Sequence, residues 1–286
     1  MMKDFLINIL KGMVIGLANI IPGVSGGTMM VSMGIYDKLI LLLTHFVKKF
    51  KEAMALLVPL GIGMLLAIVV LSKVITKMFD AIPLQTTLLF IGLIIGGLPV
   101  IYKRVKGKKV GVVQVLAFAA FFVLVVGLSL VGEGQTKSAD VTLSFVNVLK
   151  LFLAGVLAAA TMVIPGVSGS MVMMIIGYYT VIIGTISGLV DALHPFDLVQ
   201  IVSCCTVLIP FGIGVLVGIV AVAKLLEFIL KKYETTAFWA IMGLVIASPF
   251  AILIMMGSVT INVVNIVSGI VLLAIGFFVA MKLGGE

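Results

Sequence analysis

The chain has 286 residues, of which 63% are hydrophobic and 10% charged, and a net charge of +8. A soluble globular domain carries roughly 45–50% apolar and about 25% charged residues, so water is excluded as the main solvent and the chain reads as an integral membrane protein. The basic charge lies between apolar runs rather than in a basic domain; it argues against nucleic acid as a partner and points to a topology signal facing an anionic lipid surface.

The apolar runs approach the ~20 residues that a helix needs to cross a hydrocarbon core of about 30 Å. They lack the alternation of barrel strands, which predicts an all-α polytopic fold. In chain order the runs occupy 5–20, 27–47, 54–72, 84–102 and 110–131, then 146–164, 169–190, 199–223, 236–256 and 263–281. The opening MMKDFLINILKG carries Asp4 and Lys11 and lacks a small-x-small cleavage site, so it is not read as a removable signal. The polar stretch Gly132 to Asp140 separates two halves. The expected organisation is a first repeat at 1–131, a link at 132–145 and a second repeat at 146–286, all in one membrane domain. Cys204 and Cys205 are adjacent inside an apolar run, where cysteine packs as a small hydrophobe.

An internal repeat is legible in the residues themselves. Gly12, Pro22, Gly23, Ser25, Gly26, Gly34 and Tyr36 recur 143 positions later as Gly155, Pro165, Gly166, Ser168, Gly169, Gly177 and Tyr179. Pro59, Gly61, Gly63 and Lys73 recur 151 positions later as Pro210, Gly212, Gly214 and Lys224. The loop lysines set the orientation. Lys48, Lys49 and Lys51 form one cluster, Lys103 to Lys109 with Arg104 the largest, and Lys231 with Lys232 a third. By the positive-inside rule all three belong in the cytoplasm, together with both termini. Each half then makes an odd number of crossings and the second copy enters the bilayer upside down. Inverted repeats of this kind are a signature of secondary transporters, whose sites lie near the midplane where broken helices meet.

The two IPGVSG elements carry the site. Between Lys11 and the first element only Gly12 to Ile21 is uninterrupted apolar chain, ~15 Å of helix and half a core thickness, so the chain is expected to turn at mid-depth as a re-entrant hairpin; a full crossing would preserve the same topology. Pro22 and Pro165 end the preceding helix and form the structural tip, while the glycines allow a tight turn. Ser25 and Ser168 are placed to cap the next helix, whose first turn exposes about four amide donors and roughly half a positive charge. Non-helical backbone at membrane depth survives where it lines a cavity or is buried in protein. Gly23, Ser25, Gly26, Gly27 and Thr28, with Gly166, Ser168, Gly169 and Ser170 and with Asn19 beside the first tip, therefore make a candidate berth for an anion, phosphate above all. The competing reading is that Pro and Gly kink helices and small residues let them pack.

The paired elements GLANIIPGVSGGT and AATMVIPGVSGS, their spacing and the chain length resemble the bacterial polyprenyl-phosphate transporter family of PopT type. The resemblance covers essentially the whole chain. It implies a multi-pass carrier of the bacterial cytoplasmic membrane that returns undecaprenyl phosphate, the lipid on which wall precursors are built, from the outer to the inner leaflet. No cofactor, metal or catalytic residue is implied, and a homo-oligomer is left open. Gly27 becomes Ser170 and Asn19 becomes Met162 between copies, so the two tips need not contribute equally.

Lys73 and Lys224, equivalent in the repeat, and Arg104, the only arginine, are candidate entrance charges. Lysines at such positions also snorkel to the interface, and Arg104 doubles as a marker of the cytoplasmic side. Asp37 and Glu227 are ionisable groups at depth, with Lys38 and Lys224 near enough in sequence to neutralise them. His45 and His194 sit at segment ends. Two rivals stand beside a lipid carrier. A carrier or channel for a small soluble anion would use the same donors. A membrane enzyme such as a lipid phosphatase would need a nucleophile with a base or metal, and no such constellation is visible.

Overall fold

The computed structural model describes residues 2–20, 25–131, 138–193, 196–256, 259 and 262–284, with the backbone alone at positions that include Lys73. Pro22, Gly23, Glu133 and His194 lie outside the described residues. Among the described residues all regular structure is helical: α1 Met2–Ile20, α2 Gly26–Ser32, α3 Tyr36–Thr44, α4 Phe50–Leu66, a π-helical turn Ala67–Leu71, α5 Ser72–Ala81, α6 Pro83–Val105, α7 Val112–Val131, α8 Phe145–Val163, α9 Gly169–Ile175, α10 Tyr179–Asp191, α11 Leu198–Lys232, α12 Glu234–Met255 and α13 Val263–Gly284. Six of these, α6, α7, α8, α11, α12 and α13, are long and apolar enough to cross a membrane. Much of the surface of α7, α11 and α13 is exposed leucine, isoleucine, valine and phenylalanine, an apolar area suited to hydrocarbon rather than water. The all-α polytopic membrane fold expected from composition is the fold observed.

The helix bounds recur at the spacings of the sequence repeat. Met2, Gly26 and Tyr36, which open α1, α2 and α3, lie 143 positions before Phe145, Gly169 and Tyr179, which open α8, α9 and α10. Pro83 and Val112, which open α6 and α7, lie 151 positions before Glu234 and Val263, which open α12 and α13. Between these stretches the copies differ. The first has α4, the π turn and α5, whereas the second has one continuous 35-residue helix, α11.

Two bent pairs follow the signature elements: α2 meets α3 at 114° and α9 meets α10 at 106°. The same local device ends α2 and α9. Gly34, at φ +68°, donates its N–H to the Val31 carbonyl while Ile35 N–H reaches the Met30 carbonyl. Gly177, at φ +78°, and Tyr178 do the same with Met174 and Met173. This is the Schellman arrangement, in which a left-handed residue closes a helix by pairing its last carbonyls, and glycine takes that conformation without a Cβ penalty. Each helix is thereby stopped after two turns in the middle of an apolar run.

One correction concerns α1. The run before the first signature element is not a half-length helix cut at Lys11; α1 continues through Lys11 back to Met2 over 19 residues. Lys11 is buried at 7% exposure, and its Nζ donates to the main-chain carbonyl of Met33 at 3.2 Å. The break after α2 leaves carbonyls without helical partners, and the ammonium satisfies one of them, so a charge on α1 is accommodated instead of ending it.

The chain forms two compact units. One comprises 1–132, 164–168 and 224–286, the other 133–163 and 169–223. In the first, α1 lies so close on α4 that a Cβ on Gly12 would fall 2.2 Å from the Leu60 carbonyl oxygen and one on Gly63 2.0 Å from that of Ile9. In the second, α8 meets α11 with the equivalent residues: Gly155 against the Phe211 oxygen at 2.1 Å and Gly214 against that of Phe152 at 2.0 Å. Lipid tails supply no hydrophobic drive between helices, so close backbone approach through small residues does this work. The last helices of the two halves exchange partners: α6 packs on α13 through Gly92 and Gly276, and α12 packs on α7 through Gly243.

Candidate functional site

The second signature element, residues 164–168, belongs to the same compact unit as α2. Its turn lies directly against the start of that helix. Gly166, at φ +80°, donates its N–H to Thr28 Oγ1 at 2.7 Å, and both residues are buried. A Cβ on Gly27 would stand 3.1 Å from Pro165 Cα and 3.2 Å from the Ile164 oxygen, and one on Gly166 would stand 2.7 Å from Leu244 Cβ. The left-handed turn at Gly166 and the missing side chain at Gly27 are thus what let the two elements touch. Thr28 is fully enclosed, and Ser25 and Ser168 are each 4% exposed. Ser25, Gly26, Gly27, Thr28, Pro165, Gly166 and Ser168 therefore share one buried, hydroxyl-rich junction.

Asn19, itself exposed, lies beside this junction: a Cβ on Gly26 would fall 2.5 Å from Asn19 Oδ1. In the second unit, where Met162 replaces Asn19, a Cβ on the equivalent Gly169 would instead lie 3.1 Å from Thr161 Oγ1. Gly169 and Ser170 are half-buried at the start of α9.

One expectation is corrected by the local geometry. Ser25 occupies the N-cap position of α2 with extended backbone (φ −102°, ψ 128°), but its hydroxyl makes no capping hydrogen bond. The first turn is closed by backbone alone, Met29 N–H donating to the Ser25 carbonyl at 3.3 Å. One turn beyond Thr28, on the same helical face, Ser32 is 1% exposed and its Oγ has no hydrogen-bond partner among the described residues. Ser32 stands four residues after Thr28 in the chain, the spacing that puts both on one helical face.

The charged candidates separate. Arg104, at the end of α6, pairs with Asp37 at the start of α3 through Nη2 and Oδ2 at 2.6 Å, and its guanidinium lies 5.4 Å from the centre of the Phe238 ring. Asp37 is thus paired by Arg104 of another helix rather than by its neighbour Lys38. Glu227 is paired by Lys231 one turn on, with His45 Nδ1 at 3.7 Å, rather than by Lys224. Lys224 is exposed on α11, and the side chain of Lys73 lies outside the described residues. Cys204 and Cys205 are free thiols in α11.

Of the cavities that adjoin Arg104, one holds only about 40 Å³ and two are larger. One, of about 250 Å³, is lined by Asp37, Arg104, Glu227, Lys231, Glu234 and Phe238. The other, of about 380 Å³, carries Asp4, Asn8, Lys11, Lys38, Lys103 and Arg104 around the break at Gly34. Lys11, Lys38 and Lys103 escaped sequence reasoning because they are 92 positions apart at the extremes and only the fold brings them around one space.

Helical spans, buried polar backbone held between them and apolar outer faces define the class: a polytopic helical membrane protein with bent helix pairs following its signature elements. The chain belongs to the undecaprenyl phosphate translocase-like family, whose pattern matches residues 15–268. It is 31% identical over 282 residues to a polyprenyl-phosphate transporter of Staphylococcus aureus, covering 97% of this chain and 95% of that one. It is 26% identical over 259 residues to a polyprenyl-phosphate transporter of Vibrio cholerae, covering 86% and 76%. No solved structure matches the chain.

Proposed function

We propose that this protein is a carrier, not an enzyme, that moves undecaprenyl phosphate across the bacterial cytoplasmic membrane toward the inner leaflet. The observation that carries the reading is the hydrogen bond between Thr28 and Gly166, which joins two copies of one signature element in a buried polar junction. Main-chain amides and hydroxyls in such a place recognise a phosphate head, while the isoprenoid tail stays in hydrocarbon. Family membership and two relatives named as polyprenyl-phosphate transporters support the choice of a lipid phosphate over a soluble anion.

In this reading the two halves are inverted repeats and the bent elements are re-entrant, with both termini and the lysine-rich loops in the cytoplasm. The phosphate is held by Ser25, Gly26, Gly27 and Thr28 from one element and Gly166, Ser168, Gly169 and Ser170 from the other, with Gly23 and Asn19 beside them and Pro22 and Pro165 as tips. Thr28 and Gly166 satisfy each other in the arrangement described above. Binding a phosphate exchanges that bond for bonds to the ligand, so little buried polarity is left unpaired in either state.

A leaflet-resolved assay of surface-exposed undecaprenyl phosphate tests this in cells making the protein or its Ser25→Ala/Ser168→Ala variant. Wild-type cells are expected to show less outer-leaflet lipid than cells lacking the protein, and the variant to lose most of that difference at equal membrane abundance. Unchanged clearance by the variant would remove the junction from the mechanism, and no clearance by the wild type would remove the function.

A further inference from the structure

The cavity around Gly34 has a chemistry that the junction does not use. Its lining side chains include four cations, Lys11, Lys38, Lys103 and Arg104, against one carboxylate, Asp4, with Asp37 paired to Arg104 beside it. The cations come from three separate helices, α1, α3 and α6. Its volume of about 380 Å³ is within the range of small-molecule sites, about 300–1,000 Å³. Lys11 is buried and fixed through Nζ on the Met33 carbonyl, whereas Lys38 and Lys103 are exposed at the rim. Ile7, Leu56 and Val100 supply apolar wall.

An excess of positive charge in a partly apolar space is relieved when an anion enters. Arg104 is positioned to respond. Its pair with Asp37 is half-exposed on both sides, 51% and 37%, and therefore weakly held. A phosphate entering the cavity offers the guanidinium a bidentate partner of higher charge.

We infer that the cavity bounded by Lys11, Lys38, Lys103 and Arg104 is a second phosphate-binding site, distinct from the Thr28–Gly166 junction, that takes the phosphate group of a phosphomonoester. Taken with the proposed function, it is the station at which the lipid head leaves or joins the protein on the side bearing the lysine-rich loops. Arg104 moves between Asp37 and the phosphate, Lys38 and Lys103 supply rim charge, and Lys11 supplies charge at depth.

The test uses the full chain in phosphatidylcholine nanodiscs and measures binding of farnesyl phosphate, inorganic phosphate and, by adding it to the discs, phosphatidylglycerol. Lys38→Gln/Lys103→Gln alters only exposed side chains; Lys109→Gln is an exposed control elsewhere in the same loop region. Lys11→Met is added with its thermal unfolding recorded, because Lys11 also serves Met33. In the Ser25→Ala/Ser168→Ala background, which removes the junction's contribution, farnesyl phosphate binding is expected to weaken at least tenfold in the Lys38→Gln/Lys103→Gln double variant and to be unchanged in Lys109→Gln. Full-strength binding in the double variant would overturn the cavity site while leaving the transport reading intact. Inorganic phosphate bound by the wild type and lost in the double variant, with no preference for the prenyl compound, would keep the cavity and overturn the lipid reading. Competition by phosphatidylglycerol, a phosphodiester, at equal strength would overturn the phosphomonoester assignment and leave a site for bulk headgroups. A wild type that binds none of the three would overturn both proposals.

Discussion

Thr28 and Gly166 are 138 positions apart in the chain, yet the hydroxyl of one accepts the amide hydrogen of the other at 2.7 Å inside protein. An amide buried at that depth needs a partner, and the threonine comes from the other copy of the same signature element. Thr28→Val keeps the shape and removes the acceptor, so it leaves Gly166 N–H unpaired at a cost of about 1–3 kcal/mol. Thr28→Ser is expected to restore most of that stability. Thermal unfolding of the purified protein in detergent reads both, and a valine variant as stable as wild type would contradict the pairing.

The left-handed glycines separate conformational strain from crowding. Gly34, at φ +68°, has no neighbour nearer than 3.6 Å to an added Cβ, so Gly34→Ala is expected to cost only the left-handed penalty, about 1–2 kcal/mol. Gly166, at φ +80°, would also place that carbon 2.7 Å from Leu244 Cβ. Gly166→Ala should therefore lower the unfolding temperature further than Gly34→Ala, and the reverse order would refute the packing of the second tip.

Each PxGxG run holds one crowded glycine and one open one. Gly63 and Gly214 would set a Cβ 2.0 Å from a facing carbonyl oxygen, whereas nothing lies within 4 Å of Gly61 or Gly212. Gly63→Ala and Gly214→Ala are expected to separate α1 from α4 and α8 from α11 and to lower abundance sharply. Gly61→Ala and Gly212→Ala should be neutral or stabilising by up to about 1 kcal/mol through helix propensity. Membrane abundance with thermal unfolding distinguishes the pairs.

Asp140, in the segment before α8, is held below the usual carboxylate range by hydrogen bonds from the Thr142 amide and hydroxyl and from Asn147. Since the folded value is the lower one, the contribution is complete above the ordinary value of 3.8 and is lost as pH falls through the depressed value. Amide exchange at Thr142 should be insensitive to this group from pH 7 to 5, after correction for intrinsic rates, and lose protection only as the carboxylate protonates, below its ordinary value of 3.8. Asp140→Asn should show that lower protection at pH 7.

Much of the architecture was legible in the residues. The long apolar runs predicted helices because lipid forces the backbone to satisfy itself within each segment, and the sites at Gly34 and Gly177 recurred because the same stop requires the same left-handed residue. The duplication surfaced from glycine and proline spacing, since crowded helix contacts tolerate no side chain at Gly12, Gly63, Gly155 or Gly214. Lys11 misled, because a charge in an apolar run reads as an interruption when its partner, the Met33 carbonyl, is out of sight.

The sequence by itself determined the solvent, the helical class, the repeat spacing and the polar, glycine-rich character of the two signature elements. Those properties follow from composition and from local backbone constraints that each short segment carries alone. Only the tertiary structure decided that Gly166 meets Thr28, that Arg104 pairs with Asp37, and that Lys11, Lys38 and Lys103 surround one cavity. Such pairings depend on which helix faces approach in space, and the crossing of helices far apart in the chain is set by packing that no local pattern encodes.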